Sequence, residues 1–386
     1  MKLPLIYNVR NVCVRWRSSI ASVVGIALVV AIFIVVQSLA AGLEASSMAT
    51  GDAGNLLVVR RGATAESTSQ ITPEQFRILR YLPGIASDTA GNPLASADLS
   101  LVINADRADT GEANATVRGV SPAGRLMRGQ VQLIAGRWFE PGHREVVISS
   151  RLARRFRNME IGDRLVSGPV TLHVVGHFDA GRTAFDSEIW MDADEARTAF
   201  DRENYSSVLL RPIDGVAFGD LSARLETDKR FKLRAISERA YYSEQTKSAI
   251  PIKVLGSFLA TTMSIGAVFA AMNTMYASVG ARTREIGTLR VLGYRRMAIL
   301  AGFLIEGALM ALAGGLLGCL FALPMNGYST GTISFETFSE AVFDFRITPV
   351  LVLQGLGFSI LVGFAGSLLP AIRAARLPVI AALRSV

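Results

Sequence analysis

Three stretches of this chain hold no aspartate, glutamate, lysine, arginine or histidine: those between Arg17 and Glu44, Lys253 and Arg282, and Arg346 and Arg373. Each is longer than the ~20 residues an α-helix needs to cross a bilayer. A fourth apolar run follows Met297 and contains one charge, Glu306. With 50% apolar residues and a mean hydropathy of +0.36 over 386 residues, the chain is more apolar than an ordinary soluble protein. The runs predict four membrane spans, at 18–43, 250–281, 297–323 and 347–372.

Charge then predicts the sidedness. The net charge of +8 suggests nucleic-acid binding until it is partitioned along the chain. Lys2, Arg10, Arg15 and Arg17 precede the first span; Arg282, Arg284, Arg290, Arg295 and Arg296 lie between the second and third; Arg373, Arg376 and Arg384 follow the fourth. These twelve cations face Glu285 alone, a net +11 that leaves −3 for the remainder. Cytosolic loops of membrane proteins collect arginine and lysine, so the basicity is a topology signal and no nucleic-acid partner is expected. Both ends fall inside, 44–249 falls outside, and 324–346 forms an external loop bearing Glu336, Glu340 and Asp344. Cys13 and Cys319 cannot staple the large outer segment. The apolar stretch from Ile20 exceeds a signal-peptide core and lacks a convincing cleavage site, which predicts a retained span.

Residues 1–17, with Tyr7 and Trp16 among arginines, predict an interfacial helix on the cytosolic face, and 373–386 a basic cytosolic tail. From 44 to 249 the composition is that of a soluble domain. Strand-like runs occur at 55–60, 99–104, 116–120, 145–149, 170–178, 188–191, 207–211 and 231–236, with helical patterns after Thr72-Pro73-Glu74-Gln75, at 192–200 and at 218–227. An α+β domain of two subdomains is expected. Residues 237–281 are free of proline and glycine until Pro251, which predicts a helical stalk rising from the second span. In the third span Gly314 and Gly318 have the small-xxx-small spacing that lets helices approach closely.

Little else carries chemistry. No G-x-x-x-x-G-K-[ST] phosphate loop, serine elbow or zincin motif occurs, so no catalytic residues are assigned. His173 and His177 share a face of one strand but stand about 13 Å apart, too far for one metal. His143 follows a Pro-Gly turn. No metal site is expected.

The segment 282–296, RTREIGTLRVLGYRR, remains. On a helix, Ile286, Leu289, Val291, Leu292 and Tyr294 supply apolar surface, and Arg284, Arg290, Arg295 and Arg296 offer planar cationic forks. Gly293 stands where a left-handed residue would close the turn before the next span. Composition alone leaves two readings open, a protein-docking helix and a positive-inside loop whose arginines sit on lipid phosphates. Glu306, about 15 Å along the next helix from Arg296, leaves three roles open: pairing with another helix, transmitting nucleotide state, or reaching the cytosolic interface.

The wording A-R-T-R-E-I-G-T-L-R-V-L-G-Y-R-R resembles the coupling-helix segment of the MacB/FtsX family of ABC transporter permeases, and the ending LPAIRAARLP and the run GRWFEPGHREVVISSRLARRF are similar to the corresponding parts of that family. The order of one span, a large outer domain and three spans extends the resemblance over the whole chain. It implies four transmembrane helices carrying an inserted α+β extracytoplasmic domain of the MacB periplasmic type. The missing phosphate loop matches the split type, similar to DevC, LolC/LolE and MacB membrane subunits, with ATP and Mg bound by a separate ABC ATPase and no cofactor on this chain. By the same resemblance Arg284, Glu285, Ile286, Gly287, Leu289, Arg290, Leu292 and Gly293 would couple to that ATPase. Glu306 would be an intramembrane functional residue. A second permease copy, in a homodimer or a paralogous heterodimer, and a periplasmic membrane-fusion adaptor are the other implied partners. The implied function is export or extraction driven by extracytoplasmic movement. The alternative, as in the FtsX branch, is a signalling subunit that activates a cell-wall hydrolase. The implied location is the bacterial inner membrane.

Overall fold

The computed structural model describes residues 16–213, 218–228, 231–245, 249–333 and 338–378. The expected interfacial helix at 1–17, except its last two residues, the end of the tail from 379, Cys13 and Glu336 lie outside the described residues. The chain divides into a membrane-spanning unit, 1–41 with 250–328 and 345–386, and an extramembrane unit, 42–249 with 329–344.

The first helix, α1 (Trp16–Ala49), runs past the expected end at 43. Its last turns, LEASSMA, contain good helix formers, so the helix continues until Thr50 donates its hydroxyl to the Ser46 carbonyl (2.7 Å) and Gly51 turns the chain at φ +79°. Ten strands of the extramembrane unit then form one sheet in the order β10-β1-β9-β2-β3-β8-β5-β7-β4, with β6 paired to β7. After β1 (Leu56–Arg60) comes α2 (Pro73–Arg80), which begins at the expected place. Thr72 Oγ1 accepts from the Gln75 amide (3.2 Å) and Gln75 Oε1 from the Thr72 amide (3.0 Å), a capping box with proline at the first turn.

The expected pair of subdomains is one sheet, because β2 (Ala95–Asp106) is twice as long as its apolar core suggested. Its first residues pair with β9, Ala95 opposite Leu210 and Asp98 opposite Ser207, and the rest with β3 (Glu112–Val120), Leu99 opposite Gly119. Ser96 and Asp98 hid the first part of the strand from pattern reading, yet both are buried. The sheet is completed by α3 (Pro122–Met127), β4 (Gln132–Gly136), β5 (Glu145–Ser149), α4 (Ser150–Ala153), β6 (Arg164–Ser167), β7 (Val170–Asp179), β8 (Glu188–Asp192), α5 (Ala193–Ala199), β9 (Ser207–Leu210), α6 (Phe218–Thr227) and β10 (Leu233–Ser237). Three cores lie against it. One packs Leu56, Val58, Val208 and Leu210 against Leu79 of α2 and Leu221 and Leu225 of α6; the second packs Ile103, Val117, Ile148 and Ile189 against Leu152 and Ala196; the third gathers the alternate residues Leu57, Val59, Leu209, Val147 and Trp190 with Phe178 and Phe185. On β7 His173 is exposed and His177 half-buried, with its Nε2 2.8 Å from the Met159 carbonyl.

Next come α7 (Glu238–Glu244) and α8 (Ala249–Ala281), two helices with 246–248 outside the described residues. Pro251 sits in the first turn of α8, where its missing amide hydrogen costs nothing. Then follow α9 (Thr283–Val291), α10 (Arg296–Ala322), β11 (Ser329–Ile333), β12 (Glu340–Asp344) and α11 (Pro349–Ala375).

The expected loop at 324–346 is largely a hairpin, and it belongs to the extramembrane unit. Its acids explain why. Glu340 is buried between Arg107 (3.1 Å) and Arg155, and Asp344 lies 2.7 Å from Arg151 and 3.2 Å from Arg182. Val342 joins the second core, its amide donating to Ser187 Oγ (2.7 Å).

Helices α1, α8, α10 and α11 are each long and apolar enough to cross a membrane. Small residues let them meet. Gly314 and Gly318 of α10 face α1, where an added Cβ would lie 2.8 Å from the Val23 carbonyl oxygen and 2.6 Å from that of Ala27. Between α10 and α11, Gly307 abuts Ser367, Ala311 abuts Gly363 and Gly315 abuts Ser359, an antiparallel series at four-residue spacing.

Candidate functional site

The link between α8 and α10 is a nine-residue helix with defined ends. Arg282 occupies the N-cap of α9. At the other end Gly293 adopts φ +92°, and the Tyr294 amide donates to the Leu289 carbonyl (3.1 Å). A side chain at 293 would strain this left-handed turn, which sends the chain directly into α10.

One face of α9 is taken by its own bundle. Ile286 is 3% exposed and packs with Met275 and Val279 of α8, Ile299 and Phe303 of α10, and Ala371 and Ala374 of α11. Gly287 is buried beside it. Both had been placed among the residues that meet a partner. Helical period shows which residues share a face but not which face the neighbouring spans occupy, and here Ile286 anchors α9 from within. Leu289 and Arg290 are half-buried, and Arg290 Nη1 donates to the Tyr294 carbonyl (3.3 Å). The outward surface comprises Arg284, Glu285, Thr288, Gly293, Arg295 and Arg296 and two large apolar side chains, Val291 at 63% and Leu292 at 65% exposure, continued by Met297.

Beneath α9 lies a buried ion pair. Arg282 Nη1 donates to Glu306 Oε2 at 2.9 Å, with both side chains 6% exposed, and Arg282 Nε lies 3.2 Å from Glu285 Oε2. The guanidinium also sits 5.3 Å over the Phe303 ring. Of the three roles open for Glu306, the structure shows the first: it pairs α10 to the start of α9. Sequence reasoning identified Glu306 from its isolation in a span but not its partner, because five arginines lie close by in the chain and only tertiary packing selects among them. A charge at this depth is costly unless paired, and removing one member of a buried pair costs about 3–5 kcal/mol.

The extramembrane unit holds a second set of buried charges that sequence reasoning missed entirely. Arg118 of β3 grips Glu188 of β8 with two 2.8 Å hydrogen bonds and reaches Glu66 at 2.5 Å. Arg128 meets Asp98 at 2.7 Å and Glu238 at 2.8 Å. No local pattern marks these residues; three strands, β2, β3 and β8, the turn at Glu66, the end of α3 and the start of α7 bring them together.

Four helices long and apolar enough to cross a membrane, a large α+β insert after the first and a short capped helix between the second and third define the architecture. The FtsX-like permease C-terminal family model matches residues 257–379, and the MacB-like periplasmic core domain matches residues 19–228. The chain belongs to the MacB/FtsX-like family of ABC transporter permeases, inner-membrane proteins with an extracytoplasmic domain. It is 27% identical to the uncharacterized ABC transporter permease YknZ of Bacillus subtilis, over 99% of this chain and 100% of that protein. It is also 27% identical to the macrolide export ATP-binding/permease protein MacB of Bdellovibrio bacteriovorus, over 70% of this chain but only 44% of that longer protein. The crystal structure of the extracellular domain of YknZ from Gram-positive bacteria aligns with a TM-score of 0.38 at 16% identity, covering 47% of this chain and all of that domain.

Proposed function

We propose that this permease subunit transmits mechanical work: its α9 docks on a separate ABC ATPase subunit, which binds ATP and Mg, and nucleotide-driven displacement of α9 moves the extracytoplasmic domain to export or extract a substrate. The observation that carries this reading is the buried Arg282–Glu306 pair. It joins α9 to α10, so a push on the exposed face of α9 is delivered to a membrane-spanning helix rather than lost in a flexible loop. The outward Val291 and Leu292, rimmed by Arg284 and Glu285, suit an apolar groove with polar edges. Two permease copies, identical or paralogous, would present two such helices to two ATPases. A periplasmic adaptor would receive the work on the outer side.

The test is Leu292→Asp, which puts a charge into the proposed contact without touching the bundle. Capture of the co-purifying ATPase should fall by about 2 kcal/mol, or roughly thirtyfold. Membrane insertion should be unchanged. Wild-type capture and undiminished transport by the variant would reject docking through α9.

A further inference from the structure

The buried charges of the extramembrane unit do not balance. Two guanidiniums, Arg118 and Arg128, face four carboxyls, Glu66, Asp98, Glu188 and Glu238, and all six residues are at most 6% exposed. Two uncompensated negative charges in such a place would be very costly, so the node has reason to hold a proton.

Donor geometry narrows the choice to two carboxyls. Glu238 accepts from Arg128 Nε (2.8 Å), the Asn55 side-chain amide (2.8 Å) and the Asp52 backbone amide (3.0 Å). Glu188 accepts two bonds from Arg118 and one from Trp190 Nε1 (2.7 Å). Asp98 accepts from Ser96 Oγ (2.5 Å) and faces Arg128. Asp98 and Glu66 are the poorest: Asp98 Oδ2, though 2.7 Å from Arg128 Nη1, accepts no hydrogen bond among the described residues, and Glu66 has Arg118 on Oε2 and the Tyr242 hydroxyl, at 3.5 Å, on Oε1. The groups facing Glu66 from neighbouring elements are Arg118, Arg128, Asp98, Glu188 and the Tyr241 and Tyr242 hydroxyls. Burial outweighs the two arginines, and Asp98 adds to it, so the Glu66 carboxyl is raised above its ordinary value.

The node also has a strategic place in the chain. Asp52 and Asn55 directly follow α1, while Glu238, Tyr241 and Tyr242 belong to α7, which precedes α8. Tyr241 accepts from the Glu66 amide (2.8 Å), and Tyr242 accepts from Arg118 (3.0 Å). We propose that Glu66 is the neutral, proton-holding member of this node, and that its ionisation loosens the node's grip on 52–55 and 238–242, making the extracytoplasmic domain responsive to the pH outside the membrane.

The sign follows from linkage. A carboxyl whose folded value lies above its unfolded one lets the folded state keep a proton that the unfolded chain releases, so its contribution to stability is full at low pH and is lost as pH rises through the folded value. The experiment uses the full chain in lipid nanodiscs, following domain melting and amide exchange at 52–55 and 238–242 from about pH 5, above the ordinary carboxyl range, to about pH 8. In the wild type, melting temperature and protection of both segments should fall together as pH rises. Glu66→Gln should flatten both curves, whereas Glu188→Gln should lower stability and leave the pH slope in place. Should Glu66→Gln fail to fold, Tyr242→Phe removes the one donor to Oε1 and should move the transition to higher pH. A wild-type slope retained in Glu66→Gln, or a transition unmoved in Tyr242→Phe, would overturn the proposal.

Discussion

The membrane-spanning unit and the extramembrane unit both bury charge, but in opposite styles. In the membrane-spanning unit Arg282, just past the second span, meets the one glutamate of the third span, with a second carboxylate, Glu285, at the exposed rim. In the outer domain two arginines serve four carboxyls. A membrane span offers Glu306 little water to relieve an imbalance, so its charge is matched by Arg282. A soluble domain can borrow a proton from solvent, and an unmatched cluster there becomes sensitive to pH.

The sharpest way to break this comparison is Arg118→Leu, which strands Glu188 and Glu66 together. It should cost about 3–5 kcal/mol and unfold the outer domain at ordinary temperatures, as followed by circular dichroism melting. Arg282→Met leaves Glu306 without its buried partner and should cost about 3 kcal/mol, the lower end of the same range. The double variant Arg282→Met with Glu306→Leu should recover most of that loss in detergent melting while abolishing coupling of ATP hydrolysis to transport. Recovery of coupling as well would show that the pair is structural only. Glu340→Ala tests the hairpin, where the arginine partners Arg107 and Arg155 are part-exposed and can turn to water; about 1–2 kcal/mol of outer-domain stability should go. The smallest effect is expected from Gly293→Ala, roughly 1 kcal/mol of strain at a left-handed turn. It should appear as weaker ATPase capture with melting lowered by only a few degrees.

Much of the fold was legible because its signals are local or additive. The Thr72 capping box, the strand at Glu145–Ser149 and the helix at Phe218–Thr227 appear where propensity and turn chemistry place them. Failures came where a strand broke the apolar pattern, as Ser96 and Asp98 do in β2, or where acidic residues resembled a solvated loop, as Glu340 and Asp344 do. In both cases the polar groups are buried with partners far away in the chain. In the segment 282–296, helical period identified the apolar residues, but the resemblance gave Ile286 to a partner where the chain's own spans bury it.

By itself the sequence determined the number of spans, the segment held outside the membrane, and the family to which E-I-G-T-L-R-V-L-G belongs, because hydropathy and loop charge are sums over neighbouring residues and need no three-dimensional information. Only the tertiary structure decided which arginine meets Glu306, which face of α9 stays free, that the 329–344 hairpin joins the outer domain, and that Glu66 lies among five other buried charges. Those outcomes depend on contacts between residues tens to hundreds of positions apart. Their energies depend on burial and donor geometry, which exist only once the chain has folded.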